Sequence, residues 1–329
     1  MQDTTLYSIS VVIPNYNGKD LLERNLPSCF MALQSSNISD FEIIISDDKS
    51  TDDSVRFIEG AYPMVILLQN KGNRGFSGNM NNGIHAATKD LVFILNNDVL
   101  LTEHYFVPLL SLFRRSDTFG VMGKIVDLDS DRMQDGAKFP GYSFSDIKGT
   151  VNYVSKSSTL LYSLFASGAN ALVDRKKLIL LGGFSEIYNS YNWEDVDLGI
   201  RAWRIGYKVY YEGSAYCRHP RSATLNKEPG KNVQKISKRN KMYLHYLHLE
   251  GLEFYCFMLK IFTKSFFRLL IGDFSYVKSY ILFIRSLPQL SETKRSFKML
   301  QQSLHCCLST RDIIERITES TRHLEIEKF

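Results

Sequence analysis

Along the first part of the chain, short runs that are almost wholly apolar alternate with segments of mixed apolar and polar residues. The apolar positions between the runs recur at the spacing of amphipathic helices. Strands that are apolar throughout are typical of a parallel sheet covered by helices on both faces. The pattern predicts a doubly wound, mostly parallel α/β fold, with buried strands at Ser8–Pro14, Phe41–Ser46, Met64–Gln69 and Leu91–Leu95.

The pattern is less regular in the middle of the chain and becomes helical from Val233 to the end. An α/β region is therefore predicted over residues 1–225, followed by a basic helical extension over residues 226–329. Within the middle part we expect strands at Gly120–Val126, Leu164–Val173 and Lys208–Tyr211, helices at Asp174–Leu181 and Asp195–Ile205, and a polar loop at Cys217–Gly230.

Charge separates the two regions. Residues 1–221 carry 22 lysines and arginines against 25 acidic residues, and the remaining residues carry 18 against 10. A basic tail is suited to an anionic lipid or phosphate surface, and it is equally typical of a solvated helical face. No apolar run reaches the roughly 18 to 20 residues that a membrane span requires. Because the start lacks a charged-then-apolar leader, the expected compartment is the cytoplasm.

Acidic and polar residues follow the predicted strands directly. In an open α/β sheet, ligands bind beyond the carboxyl ends of the strands, so Tyr16, Asp47, Asp48 and Asp98 are expected around one crevice. The segment Asn96-Asn97-Asp98 is compatible with a simple turn. It is also compatible with a site for Mn²⁺ or Mg²⁺, in which Asp98 is the ligand and Asn96 or Asn97 assists through oxygen or water.

A second acidic segment, Trp193-Glu194-Asp195-Val196-Asp197, lies at the start of a predicted helix. Carboxylates in a first helical turn are common because they cap free N–H groups and complement the helix dipole. Capping requires only one acid, however, and three acids so close together repel one another. We therefore assign Asp195 as the general base for an acceptor hydroxyl and Glu194 as an acceptor-binding residue.

Two further candidates are basic. His219 lies between two arginines and is either polar surface or a ligand that completes the metal site of Asp98, since imidazole binds Mn²⁺. Arg74 lies in the glycine-rich stretch Asn70–Asn79, from which it can reach a diphosphate. That stretch has the spacing of neither the dinucleotide fingerprint nor the P-loop.

Together these segments resemble the family 2 glycosyltransferases, which have the GT-A fold. The motifs occur in the family's order over residues 8–225. They are Val11–Asn17, Ile45–Asp52, Asn73–Gly83, Leu95–Asp98, Ser167–Asn170, Gly182–Phe184 and Trp193–Leu198. The sequence departs from the family's Asp-x-Asp metal motif because Asn96 replaces the first acid, which leaves Asp98 to carry direct ligation.

The resemblance implies roles for individual residues. Asp195 becomes the base of an inverting transfer, with Glu194 beside it, and Asp98 and His219 become the metal ligands. Residues 1–100 form the nucleotide-binding half of the catalytic domain, and residues 101–225 form the acceptor half. The pattern is similar to that of rhamnosyltransferase-type enzymes of bacterial surface polysaccharides. The residues expected to bind the donor are Pro14, Asn15, Tyr16, Asp47, Asp48, Arg74 and Asn97.

The resulting hypothesis is transfer of a sugar from a UDP- or dTDP-type donor to a glycan or lipid-linked acceptor, with Mn²⁺ or Mg²⁺ as cofactor and no nucleic acid partner. A sugar-nucleotide pyrophosphorylase is the alternative enzyme, but the segment Asn15–Gly18 lacks the basic glycine-rich loop expected after its first strand. A non-catalytic sugar-nucleotide-binding or scaffold protein of the same fold is the third hypothesis.

The tail contains a stripe of cations, Lys260, Lys264 and Arg268, among apolar residues. Such a helix can lie peripherally on the inner face of the cell membrane, with its cations toward lipid phosphates. It can equally pack on the catalytic domain or on a second copy in a homodimer. The sequence leaves these alternatives open.

Overall fold

The structure is a computed structural model that describes residues 7–189, 192–220 and 230–329. Within these ranges a large sheet is flanked by helices on both faces, and a small three-stranded sheet packs at one side. The strands are β1 (Ile9–Asn15), β2 (Phe41–Asp47), β3 (Ile66–Gln69), β4 (Leu91–Leu95), β5 (Leu100–Leu101), β6 (Thr118–Asp127), β7 (Met133–Asp135), β8 (Ala137–Ser143), β9 (Asp146–Ser155), β10 (Leu160–Tyr162), β11 (Asn170–Asp174), β12 (Lys208–His219) and β13 (Ile326–Lys328).

The helices of the first half follow the predicted pattern. Strands β1, β2 and β4 are largely buried because the helices cover the sheet with their apolar sides. The α-helices in the described ranges are α1 (Lys19–Ser35), α2 (Ser54–Ala61), α3 (Gly75–Ala86), α4 (Val107–Leu110), α5 (Arg175–Leu180), α6 (Glu194–Arg204), α7 (Gly230–His248), α8 (Gly251–Leu270), α9 (Phe274–Arg285), α10 (Leu287–Ser303) and α11 (Thr310–Ser320).

The strand order of the large sheet is β10-β12-β6-β11-β4-β1-β2-β3. The strands β4, β1, β2 and β3 are parallel to one another, as predicted. Strand β11 is antiparallel to both of its neighbours, so the other half of the sheet is mixed. The predicted α/β fold class is confirmed. The four strands of the first half are parallel, and in the second half β12 pairs parallel with β6 while β10 and β11 are antiparallel to their neighbours.

Three expectations for the second half are wrong. Strand β11 begins only at Asn170, because Leu164 and Phe165 belong to an irregular segment whose backbone lies against Gly199 of α6, where a Cβ would be 2.5 Å from the Leu164 carbonyl oxygen. Strand β12 continues to His219 through a bulge, so Cys217–His219 is not loop. The chain also ends in a strand rather than a helix, since β13 pairs with β9 of the unpredicted β8–β9 hairpin.

The C-terminal helices share a core with the sheet. Trp203 of α6, Leu244 of α7, Phe283 of α9 and Ile313 of α11 are buried in a single apolar cluster. The predicted boundary at residues 225–226 lies outside the described residues. In the described part of the chain, no helix is long and apolar enough to cross a membrane.

Candidate active site

The register of the parallel strands brings the polar residues at their ends together. Strand β1 pairs with β2 so that Asn15 lies opposite Asp47. Asn15 is fully buried and donates a hydrogen bond to Asp47 (Nδ2 to Oδ2, 2.9 Å), and it accepts one from Asn97 (2.9 Å), which follows the adjacent strand β4. Gly18 is required beside this pair, because a Cβ there would lie 2.3 Å from Asn97 Nδ2. Asn97 thus faces Asn15.

The two acids after β2 hold neighbouring loops. Asp47 accepts hydrogen bonds from the backbone N–H and the hydroxyl of Ser50, at 2.9 and 2.6 Å. Asp48 accepts from Asn70 Nδ2 and from the N–H groups of Arg74 and Gly75, at 2.8 to 2.9 Å. Both carboxylates are buried and shape the crevice, and their contact with a donor stays a prediction.

The side chains placed for donor contact differ in exposure. Tyr16 lies just past β1 with about half of its surface exposed (54%), while Pro14 is partly buried within the strand. Arg74 is half exposed and pairs with Glu186 at 3.3 Å. Gly75 has a φ of +67°, which favours glycine, and a Cβ there would lie 2.1 Å from Asn189 Oδ1. This close approach holds the Arg74 backbone at the crevice.

A short antiparallel pairing brings Asp98 to His219. Strand β5 pairs with the end of β12, with Leu100 opposite Arg218. Asp98 precedes β5 and His219 ends β12, so their side chains meet: His219 Nε2 lies 3.3 Å from Asp98 Oδ1. Asp98 is 5% exposed, and its Oδ1 accepts no hydrogen bond from any residue that the structure describes.

Gln134 of β7 orients the imidazole of His219. Its Oε1 lies 3.3 Å from His219 Nδ1, and its Nε2 donates to the His219 carbonyl oxygen (2.8 Å) and to Asp127 (3.1 Å). The amide oxygen can only accept, so this contact favours a proton on Nδ1 and leaves Nε2 as the nitrogen that faces Asp98. The sequence analysis missed Gln134, which belongs to an unpredicted strand.

This donor set fits a divalent cation. A buried carboxylate oxygen without a hydrogen-bond partner costs free energy unless a cation or a donor satisfies it. The described residues contain no cluster of three or more His, Cys, Asp or Glu side chains suited to a metal. Asp98 and His219 would therefore hold the ion, with a phosphate of the bound donor and water as its other ligands. Mg²⁺ and Mn²⁺ sites with few protein ligands are completed in this way.

The second acidic segment begins α6 in an unusual backbone conformation. Asn192 and Trp193 have φ values of +56° and +85°, a left-handed conformation that is rare for residues other than glycine. Asp195 accepts a hydrogen bond from the Val196 N–H (2.8 Å) and, with Gly168, borders a small, mostly apolar cavity of about 10 Å³. The segment that contains Gly168 is hydrogen-bonded to the segment that carries Asp98. The Asn96 N–H donates to the carbonyl oxygen of Ala169, which follows Gly168 (3.1 Å).

Burial changes the acidity of this pair. It raises the pKa of Glu194, and the negative charge of Asp195 adds to that rise. Burial also raises the pKa of Asp195, against the opposing effects of the Lys138 ammonium and the Val196 N–H. A carboxylate with a raised pKa is a stronger base than an ordinary aspartate, which suits proton abstraction from a hydroxyl.

The third acid of the segment is structural. Burial alone would raise the pKa of Asp197, but Arg201 and His248 hold it below its ordinary value. Arg201 Nε donates to Asp197 at 2.7 Å, and His248 Nε2 lies 2.8 Å from it. Since His248 belongs to α7, the C-terminal extension contacts the helix that carries Asp195.

Solved structures share this architecture. A structure of GalNAc-T7 with UDP, GalNAc and Mn²⁺ matches with a TM-score of 0.67 at 16% identity, covering 98% of this chain and 58% of that one. The fold is therefore of the GT-A type. The chain matches the model of Glycosyl transferase family 2 over residues 10–178, about half of its length, and it belongs to this family.

Curated relatives agree with the family. An uncharacterized glycosyltransferase of Nostoc sp. is 33% identical over 142 residues, which are 42% of this chain and 43% of that protein. The N-acetylglucosaminyl-diphospho-decaprenol L-rhamnosyltransferase of Mycobacterium tuberculosis is 26% identical over 266 residues, 72% of this chain and 83% of that protein. The predicted family and its rhamnosyltransferase-like character are confirmed.

Proposed function

We propose that this chain transfers a sugar from a UDP- or dTDP-type donor to a glycan or lipid-linked glycan acceptor, with inversion, in bacterial polysaccharide or glycolipid synthesis. The single observation that carries the proposal is the buried, unbonded Asp98 oxygen 3.3 Å from His219 Nε2. Asn96, two residues before Asp98, donates its backbone N–H to the carbonyl oxygen of the residue that follows Gly168. Gly168 borders the same small cavity as Asp195. Family membership favours this transfer over the pyrophosphorylase hypothesis.

The acceptor side has the groups for a single displacement. The acceptor hydroxyl oxygen attacks the anomeric carbon, Asp195 takes the hydroxyl proton, and the bond to the diphosphate oxygen breaks on the opposite side of the sugar. Glu194, beside the base, binds the acceptor in its protonated form, because its raised pKa lets it donate a hydrogen bond. Inversion follows from having one displacement and no covalent intermediate.

The donor side needs positive charge. A divalent cation held by Asp98 and His219 would stabilise the charge that develops on the leaving diphosphate. The half-exposed Arg74 is free to add a hydrogen bond to the diphosphate on leaving Glu186, since that ion pair is exposed and weak. Tyr16 presents an exposed ring for stacking on the base.

The proposed reaction is tested by incubating the protein with UDP- and dTDP-sugars, Mn²⁺ and glycan acceptors. We expect nucleotide diphosphate release that depends on the acceptor, and a product whose anomeric NMR coupling is opposite to that of the donor. A product with retained configuration would contradict the assignment of Asp195 as the base of an inverting reaction.

Gln134→Leu is expected to weaken Mn²⁺ binding about 10- to 100-fold, because the imidazole of His219 loses the group that orients it. Gln134→Glu keeps an acceptor for Nδ1 but loses the hydrogen bonds that Gln134 Nε2 donates to Asp127 and to the His219 carbonyl oxygen, so it should weaken Mn²⁺ binding less than the leucine variant does. Mn²⁺ titration followed by electron paramagnetic resonance measures both variants. Equal Mn²⁺ affinity in the leucine and glutamate variants would show that Gln134 has no positioning role.

As the pH is lowered, the transfer rate is expected to fall at a higher pH than it would if the base had the pKa of an ordinary aspartate. Asp195 acts only when ionised, and its pKa is raised, so kcat/KM falls as the pH drops through that raised value. The midpoint should lie clearly above the ordinary value of about 3.9. Measuring kcat/KM from about pH 4 to pH 9 gives the midpoint, and a midpoint at the ordinary aspartate value would exclude a buried, ionising Asp195 as the base.

A further inference from the structure

A second cavity, of about 250 Å³, lies between α7, α8 and α9, away from the residues assigned above. This volume exceeds the roughly 30 Å³ share of one liquid water several times over. Its charged lining is dominated by cations. The basic residues around it are Lys238, Lys241, His245, Lys260, Lys264 and Arg268.

The cations are only partly neutralised. Asp146 lies within 3.6 Å of both Lys241 and Lys260, and Asp273 pairs with Arg268 at 3.0 Å. Lys238 and Lys264 form no ion pair with any residue in the described part of the chain. Burial lowers the pKa of Lys264, and the neighbouring Arg268 and Lys260 lower it further. Repulsion among these cations favours an anionic ligand.

The cavity adjoins the catalytic helix. Lys241 of α7 contacts the cavity acid Asp146 and also lies over the Trp193 ring, 5.8 Å from its centroid. Trp193 directly precedes Glu194 and Asp195. Asn240, the neighbour of Lys241, is fully buried and donates to the Asn192 carbonyl oxygen (3.2 Å). A ligand in this cavity therefore lies beside the acceptor end of the proposed reaction.

Helix α8 presents an exposed apolar face next to the cavity. Its exposed residues recur three or four positions apart, as on one side of a helix. Phe257 and Ile261 on its other side are buried in the core. Phe267 follows Lys264 by three residues, so it lies beside that cation. The exposed apolar residues of α8, each 48–69% accessible, are Leu252, Tyr255, Leu259, Phe262, Phe266, Phe267, Leu269 and Leu270, and beyond the end of α8 Ile271 and Phe274 are 72% and 60% accessible.

We propose that the α7–α9 cavity binds the diphosphate of a membrane-anchored acceptor, a glycan joined through diphosphate to a prenyl chain, while the apolar face of α8 lies in the bilayer surface. The choice of ligand follows from the cationic cavity and the apolar face of α8 beside it. A single ligand must offer several negative charges to the cavity and an apolar chain to that face. The acceptor role, though not the binding itself, rests on the proposed function.

The arrangement also accounts for the cation stripe of α8. In an ordinary interfacial helix, the cations lie between the apolar face and water. Here Lys260, Lys264 and Arg268 converge with Lys238 and Lys241 of a neighbouring helix on one cavity. Such convergence suits a compact, multiply charged group such as a diphosphate, whereas phospholipid headgroups with a single charge require only a dispersed basic surface.

The test measures binding of farnesyl diphosphate to the whole chain in excess chelator and without nucleotide, so that a metal-dependent donor site does not contribute. Lys264→Gln/Arg268→Gln is expected to weaken binding at least tenfold. Lys238→Gln, which breaks no ion pair, should weaken it in the same direction. Lys278→Gln/Arg285→Gln is the matched control, with the same changes at exposed positions of α9, and should bind as the native chain does.

Farnesol and inorganic pyrophosphate separate the two halves of the ligand. We expect no binding of farnesol in the cavity and weaker binding of pyrophosphate, lost in the cavity variant. Equal farnesyl diphosphate affinity in the cavity and control variants would overturn the proposal, as would its complete displacement by phosphatidylglycerol vesicles. The cavity variant must keep the native melting temperature, and if it does not, Lys238→Gln alone decides.

Vesicle flotation tests the apolar face. Phe262→Ser/Phe266→Ser should lose association with vesicles that contain prenyl diphosphate, and a dimer that these changes dissociate would identify a second copy as the occupant instead. Failure of the donor assays would disprove the proposed function and leave cavity binding intact. Failure of farnesyl diphosphate binding with normal donor turnover would disprove only the acceptor site.

Discussion

Asp195→Asn is expected to lower kcat about 10²- to 10⁴-fold, the usual contribution of a general base. The amide has the shape of the carboxylate and can still accept the hydrogen bond from the Val196 N–H, so α6 should keep its start. It has no basic oxygen for the hydroxyl proton. Donor binding should stay native, because the donor residues lie on other elements. Steady-state transfer rates together with donor titration separate these effects.

Asp20→Asn provides the control, since this aspartate is 96% exposed on α1 and should leave transfer unchanged. The Asp195→Asn variant also distinguishes a glycosyltransferase from a non-catalytic sugar-nucleotide-binding protein. A non-catalytic sugar-nucleotide-binding protein would bind donor and show the same absence of turnover in the native chain and the variant. Native turnover in Asp195→Asn would exclude this residue as the base.

Asp98→Asn is expected to abolish the effect of Mn²⁺ on donor binding and to lower transfer at least about 100-fold. The change keeps the size of the side chain but removes the charge that would hold the cation. Loss of several kcal/mol of charge stabilisation corresponds to two or more factors of ten in rate. Mn²⁺ titration and transfer assays measure the two losses in parallel.

The asparagine variant should still fold. In the absence of metal, Asp98 Oδ1 has no hydrogen-bond partner among the described residues, so replacing the carboxylate with an amide of the same size breaks no hydrogen bond of this buried oxygen. We therefore expect Asp98→Asn to melt at or above the native temperature in chelator. A variant that melts lower in chelator and binds Mn²⁺ normally would show that Asp98 is a structural residue rather than a ligand.

The sequence predicted well the features that depend on local pattern. The apolar runs indicated the four parallel strands, and the carboxyl-end rule placed Tyr16, Asp47, Asp48 and Asp98 at one edge of the sheet. Local patterning is informative there because β1, β2 and β4 are largely buried, although the edge strand β3 is only partly buried. The pairing of Asp98 with His219 at 3.3 Å depends instead on the β5–β12 register. Ligand chemistry and the family resemblance pointed to this pair, but no local pattern predicted the register.

Other features could not be predicted from the local sequence pattern. Gln134 acts through a three-residue strand that has no hydrophobic signature of its own, and its partner His219 is 85 residues away. The acids Asp47 and Asp48 carried a chemical signal, but their hydrogen bonds to the adjoining loops appear only in three dimensions. The cation stripe of α8 was visible, whereas its convergence with α7 on one cavity required the tertiary packing.

The most direct test of the metal-dependent donor site is a thermal-shift panel of nucleotide sugars with Mn²⁺ and with excess chelator. A ligand that binds only the folded chain raises its melting temperature by mass action. The account predicts that one UDP- or dTDP-sugar stabilises the native chain strongly with Mn²⁺ and weakly in chelator, and that Asp98→Asn removes the difference. Equal stabilisation by the best donor with and without metal would contradict it.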